Sequence, residues 1–354
     1  MPAAADSARY VRLAEEVRGG VVESVHFGAV AVVDRSGNVL HAAGDPYTVT
    51  FTRSALKPLQ ALAFVAGGGV ERFRFSQPQV ALMCASHSGE PRHVDAVSAM
   101  LARCGCSAAD LQCGTHAPGF YEARGEVPPP PPYSPLAHNC SGKHSGMLAW
   151  CVQHGHDKAG YLAFDHPLQQ AIRRAVACFT GVREDRLAAG IDGCSAPNYA
   201  VPLAGLAQAF ARLAGAAVDP DYGHAPKVLA DAMTRHPEMV SGERRSDLAL
   251  MQAGRGDWVT KIGAEGVQAI GLRSAGVGIA IKVADGQKRG LYPAIVAVLD
   301  QLGLLDAAAR AALAPWGRRT VRNYRGLETG EVRPAVALAA SRPQIASLPT
   351  QRPG

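Results

Sequence analysis

In Arg53-Ser54-Ala55-Leu56-Lys57, a serine and a lysine stand three positions apart, a spacing that puts a hydroxyl and an amine on one face of a helix. A serine oxygen is a poor nucleophile until a base removes its proton, and a neutral lysine amine can do so where no Ser-His-Asp triad is available. The lysine must first lose its own proton. Bringing it from its ordinary value near 10.4 to a useful base at neutral pH takes roughly 3 pH units, about 4 kcal/mol, from burial and nearby positive charge. Arg53 and a second lysine are candidates for that charge. Many surface helices carry S-x-x-K by chance, so the pair gains weight only from what surrounds it.

Two further glycine-bounded segments carry the same kinds of group. Ala85-Ser86-His87-Ser88-Gly89-Glu90 packs two hydroxyls and an imidazole into a turn, and Lys261-Ile262-Gly263-Ala264-Glu265-Gly266 puts a lysine just before an expected strand. The order S-x-x-K, S-H-S, K-x-G is similar to that of acyl-serine enzymes of the β-lactamase and penicillin-binding type. A Ser-Asp-Asn motif is absent, and Ile262 follows Lys261 where those enzymes want a hydroxyl residue. Two loops, His138-Asn139-Cys140-Ser141-Gly142-Lys143-His144 and Gly190-Ile191-Asp192-Gly193-Cys194, combine cysteine with glycine and polar groups. Thiolates at Cys140 and Cys194 suit a borderline cation such as Zn²⁺. Spacing does not separate that reading from two buried thiols at helix starts.

The elements that position these groups follow from pattern. Residues 21–33 and 38–42 flank Asp34-Arg35-Ser36-Gly37-Asn38 as a hairpin, and a helix from about Ser54 to Ala66 is closed by Gly67-Gly68-Gly69. Alanine/leucine periodicity predicts helices over 80–84, 94–103, 142–154, 168–180, 198–213 and 226–235. Residues 259–283 return to strand, with a hairpin over 266–272 and 276–283 and then a helix over 288–302. The chain thus divides into a sheet subdomain from residues 1–76 and 246–340, a mainly helical subdomain at 77–245, and a tail at 341–354 expected to fray. Pro128 to Pro132 cannot enter a helix and leads stiffly into the Asn139 loop.

At 354 residues and 47% hydrophobic, the chain can bury one large or two medium cores. Its net charge of +6 is dispersed, with no cationic run beyond pairs such as Arg173-Arg174, so a nucleic-acid surface has little support. No apolar stretch reaches the roughly 18 residues of a membrane span, and Met1 to Gly20 does not read as a secretory signal. Eight cysteines in a chain of cytosolic character read as buried thiols; the spacing of Cys104, Cys106 and Cys113 fits no common zinc pattern.

Several ordered segments together resemble the Rhizobium-type (class 3) asparaginases, the asparaginase II family. They are Arg18-Gly19-Gly20-Val21-Val22-Glu23-Ser24, Arg53 to Gln60, Ser86 to Glu90, Asn139 to His144, Gly190 to Cys194 and Gly263 to Gly266. The resemblance runs from about Arg18 to Val332. It implies an α/β (α+β) fold of the serine β-lactamase/glutaminase type, a cytoplasmic homodimer, and hydrolysis of L-asparagine to L-aspartate and ammonia. Carried onto this chain, it implies two neighbouring pairs, Ser54 with Lys57 and Ser86 with Lys261, with Ser54 the attacking group. It also implies zinc on Cys140, Lys143 and Cys194, with water completing the shell. A free amino-acid substrate is a zwitterion; Asp192 suits its ammonium, and Arg53, Lys261 or His144 its carboxylate, with His87 in the same pocket. Asp192 as a turn cap, and His87 and His144 as structural imidazoles, are the alternatives. A glutaminase, a β-lactam or ester hydrolase, and a zinc-stabilised binding protein are the competing functions.

Overall fold

The computed structural model describes residues 9–215 and 218–340. Its frame is a nine-stranded antiparallel sheet drawn from both ends of that chain. The strands in chain order are β1 (Val11–Arg18), β2 (Val21–Asp34), β3 (Val39–Ala43), β4 (Val49–Phe51), β5 (Ala188–Ile191), β6 (Pro197–Pro202), β7 (Trp258–Gly263), β8 (Val267–Leu272), β9 (Val277–Val283), β10 (Arg319–Arg322), β11 (Glu328–Pro334) and β12 (Ala339–Ala340). The main sheet runs β10-β11-β1-β2-β9-β8-β7, with β3 and β12 continuing beside the far half of β2. Strand β2 is long enough to change partners: residues 21–28 pair with β1, and Val30–Val33 with β3. The expected hairpin forms across Asp34, whose carboxylate accepts from the Ser36 and Asn38 N–H groups.

Strand alternation splits the core into two layers. Ala29, Ala31, Ala269 and Ala280 face the layer containing helix Leu203–Leu213, while Val30, Val32, Ile270, Ile279 and Ile281 face helices Lys288–Gln301 and Ala307–Gly317. Small residues on the first face let the helix sit close. At Gly278 a Cβ would collide with the Ala207 carbonyl, and at Gly271 with that of Phe210. The first layer also takes in Leu56, Leu59, Leu82, Leu148 and Phe179, so the expected sheet and helical subdomains share one core across their boundary.

The helices of the middle include Gln77–Met83, Pro91–Arg103, Ser141–His154, Pro167–Thr180 and Ala225–Arg235. One expected helix is corrected. Residues 198–202 are strand, and helix begins only at Leu203. Pro202 disfavours helical backbone at Val201, and Tyr199 and Val201 suit a strand. Strand β6 joins β4 and β5 in a separate three-stranded sheet. Lys261 lies inside β7 instead of before a strand.

Strand β1 escapes a pattern search because Glu15 and Glu16 sit within it. Both are buried, Glu15 against Arg333 and Glu16 against Arg289. Pro128 to Pro132 is irregular, and the expected tail lies outside the described residues. Among the described residues, no helix is long and apolar enough to cross a membrane, and all eight cysteines are free thiols.

Candidate active site

After β4 the chain enters a 3₁₀ turn, Arg53–Leu56, which runs straight into helix Lys57–Ala66. Arg53 adopts left-handed backbone, with φ 49°, an uncommon and costly state for a residue with a Cβ. The side chain of Asn198 on β6 holds it there. Asn198 Oδ1 accepts the Arg53 N–H (3.0 Å), and Nδ2 donates to the Arg53 carbonyl (3.0 Å). Thr52 Oγ1 donates to the Tyr199 carbonyl (3.0 Å), tying the same corner to β6. Ser54 is thereby presented half-buried at the start of the turn, and its N–H has no acceptor among the described residues. Side chains at i and i+3 eclipse on a 3₁₀ turn, so Ser54 and Lys57 share a face.

Lys57 is buried, with Nζ against Ala85 O (2.5 Å), Asn139 O (3.3 Å) and Ser86 Oγ (2.9 Å). The serine that Lys57 touches is therefore Ser86, and Ser54 makes no hydrogen bond to it among the described residues. This arrangement has a chemical consequence. As an ammonium Lys57 donates to all three oxygens; in a neutral amine, with two N–H groups and one lone pair, the two carbonyls can only accept, so they would take the N–H groups and turn the lone pair toward Ser86. Ser86 is fixed by its own N–H, which donates to Val240 O (2.9 Å) just beyond helix Gln77–Met83.

The expected Ser86–Lys261 pair is not made. Lys261 Nζ lies on Asp247 Oδ2 (3.3 Å) and Ile262 O (2.8 Å), because a fully buried amine is drawn to the nearest carboxylate. Burial pushes Lys261 down to about 8, with Asp247 opposing the fall and the Lys57 and Arg245 charges adding to it.

Arg53 and Asp192 meet each other, Nε to Oδ1 at 2.9 Å. Burial works against the Asp192 charge, yet the Gly193 N–H and the Arg53 guanidinium hold its carboxyl below its ordinary value. His87 is corrected as a substrate contact: its Nδ1 accepts the Gly89 N–H (3.1 Å) and its Nε2 bonds Ser141 Oγ (2.9 Å), leaving no free nitrogen. Burial and the neighbouring His93 hold it well below its usual range. His144 is likewise fully buried. Its Nδ1 bonds Tyr161 OH (2.6 Å), while Nε2, which lies toward Cys194, has no hydrogen-bond partner among the described residues.

Cys140, Lys143 and Cys194 converge. Cys140 lies at the start of helix Ser141–His154, and Lys143 reaches Cys194 from the helix's first turn, Nζ to Sγ 2.8 Å. The neighbouring Cys194 sulfur lowers Cys140 well below its ordinary value against its burial, helped by the Lys57 and Lys143 charges. Burial opposes the charge on Lys143, but the two sulfurs outweigh it and raise the amine. Two sulfurs and an amine around one point, with a buried imidazole nitrogen left over beside them, form a donor set that fits a zinc ion once the shared proton leaves. Among the described residues no site has three His, Cys, Asp or Glu donors; this one depends on a lysine.

Two residues of the site are invisible to sequence reasoning. Asn198 and Asp247 reach Arg53 and Lys261 from distant segments, and neither carries a local motif.

No curated protein matches the chain. Among solved structures, a β-lactamase from Mycobacterium bovis is similar at 16% identity over 78% of this chain and 95% of that one, with a TM-score of 0.39. The hydrolase EstCE1, with promiscuous acyltransferase activity, is similar at 14% identity over 82% and 93%, with a TM-score of 0.36. The family profile of L-asparaginase II matches residues 14–334. Since that span takes in both lysine pockets, the sulfur cluster and nearly all of the sheet, the chain belongs to the L-asparaginase II family.

Proposed function

We propose that this protein is an L-asparaginase, hydrolysing L-asparagine to L-aspartate and ammonia with Ser54 as the attacking hydroxyl and Lys57 as the base. Family membership supports an amidohydrolase. The observation that carries the finer reading is the set of oxygens around Lys57, two carbonyls and the Ser86 hydroxyl, which in the neutral amine would turn the lone pair toward that hydroxyl. Ser54 is the accessible hydroxyl on the same face, whereas Ser86 is buried.

The zwitterionic substrate docks against the Arg53–Asp192 pair, ammonium to the aspartate and carboxylate to the arginine. The Ser54 proton passes through Ser86 to Lys57 as Oγ bonds the side-chain amide carbon, and the Ser54 N–H faces the developing oxyanion. The C–N bond then breaks, with Lys57 returning the proton to the departing nitrogen as ammonia. Water next attacks the aspartyl ester, its proton again taken by Lys57, and as the ester C–O bond breaks that proton returns to Ser54 Oγ and aspartate leaves.

Cys140, Lys143 and Cys194 would hold zinc, whose two thiolates and amine damp its Lewis acidity, so when bound it would fix the flanking loops and orient the substrate. We infer a homodimer from the same family resemblance. The test is ammonia release from asparagine, glutamine and an unsubstituted primary amide, alongside nitrocefin cleavage, for the wild type and Ser54→Ala. Asparagine is expected to turn over fastest, with no turnover in the variant. Faster glutamine or nitrocefin turnover, or an active Ser54→Ala, overturns the assignment.

A further inference from the structure

Strand β7 ends the main sheet, so one of its edges has no partner strand among the described residues. Asp247, on helix Ser246–Ala253, sits at that edge, fully buried. Its Oδ1 accepts from Thr260 Oγ1 (3.0 Å) and Gln268 Nε2 (3.1 Å), and its Oδ2 from the Ile262 N–H (2.9 Å) and Lys261 Nζ (3.3 Å). Four donors fill the roughly four acceptor sites of a carboxylate. Thr260 and Lys261 are consecutive and point to opposite faces of the strand. Only a group at the edge can be reached by both, and the Lys261 amine is curled back to that edge, onto its neighbour's carbonyl. The 3₁₀ turn bearing Ser54 packs near the same strand: a Cβ at Gly263 would meet the Thr52 carbonyl oxygen at 2.7 Å.

We propose that Asp247 is the positioning residue of Lys261, pinning its amine beside the Ser54 turn and keeping it charged so that it faces the negative charge that develops on the attacked amide. The proposal rests on the amidohydrolase reading. A hydrogen-bonded carboxylate favours the charged form of its amine partner, and a fixed cation in a closed site stabilises an oxyanion more than the ground-state carbonyl. The other ionisable groups around Lys261 are accounted for. Lys57 and Arg245 bear on it as like charges, and Cys84 is a thiol pushed up to about 12 by burial, hence neutral. Arg53 is turned to Asp192 and Glu265, and Asp231 of helix Ala225–Arg235 is paired with Lys227 and Arg273. Strand β8 contributes the neutral Gln268. Asp247 is thus the one carboxylate bonded to this amine among the described residues.

The experiment follows the ε-carbon signal of Lys261 through a pH titration of ¹³C-lysine-labelled protein, identified by its loss in Lys261→Arg, beside the pH profile of kcat for ammonia release. In Asp247→Asn, Lys261 is expected to lose its proton about one pH unit or more below the wild type. The alkaline fall of kcat is expected to move down with it. Thr260→Val removes a neutral competitor for the carboxylate and is expected to move both a few tenths of a pH unit upward, on the order of a single lost hydrogen bond. If Asp247→Asn does not fold, Thr260→Val decides: an upward move supports the proposal, and an unchanged or lower value overturns it. Lys261 titrating alike in Asp247→Asn and wild type, or moving without the kcat limb, also overturns it. A wild type that releases no ammonia defeats the amidohydrolase reading instead, and the carbon titration still reads the Asp247–Lys261 coupling.

Discussion

Lys57 and Lys261 are two buried amines of one site with opposite surroundings. Lys57 is ringed by neutral oxygens, two carbonyls and a hydroxyl. Lys261 leans on a carboxylate. Nothing in the residue type separates them; the acceptors do, placing a hydroxyl beside the first and a carboxylate beside the second.

The strongest way to break this contrast is to delete the proton acceptor. Lys57→Ala and Ser54→Ala are expected to lower kcat for ammonia release by on the order of 10⁴-fold or more, whereas Ser86→Ala, which removes a proton carrier, is expected to lower it by about 10²-fold. Equal losses in Ser54→Ala and Ser86→Ala would put both serines in one role.

Removing one member of the fully buried Asp247–Lys261 pair leaves an uncompensated charge or a set of unpaired donors, so Lys261→Met and Asp247→Leu are each expected to cost about 3–5 kcal/mol by urea unfolding. The double variant is expected to recover part of that cost. Full additivity would show that the two side chains do not act as a pair.

Asn198→Ala frees the left-handed Arg53 backbone at a cost of about 1–3 kcal/mol, and it is expected to reduce kcat beyond what the lost stability explains. A variant that unfolds more easily yet turns over normally would uncouple the corner from the chemistry. The gentlest probe is pH. With Lys261 near 8, its charge is present below that pH and lost above it, so kcat is expected to fall as pH rises through about 8.

Much of the frame and part of the site are legible in the sequence. The hairpin around Asp34, the β8–β9 hairpin and the turn that carries Ser54 into Lys57 come from spacing, because a turn or an i,i+3 relation is decided within a few residues. The gathering of Cys140, Lys143 and Cys194 comes from family resemblance, since Lys143 and Cys194 lie 51 residues apart and the residues by themselves favour buried thiols. Asn198 and Asp247 were illegible for a related reason: each acts on backbone or an amine that the chain brings to it only after the sheet forms. Strand β1 was hidden by its two buried glutamates, whose arginine partners come from the other end of the chain. The pairing of Lys57 with Ser86 also depends on tertiary packing, through the Val240 carbonyl that fixes the Ser86 turn.

The most direct measurement is mass spectrometry of protein acid-quenched during asparagine turnover, with peptide mapping of any aspartyl ester. The account predicts the ester on the peptide carrying Ser54 in the wild type and in Ser86→Ala, and none in Ser54→Ala. An ester on the peptide carrying Ser86, or rapid turnover with none on either serine, would contradict it.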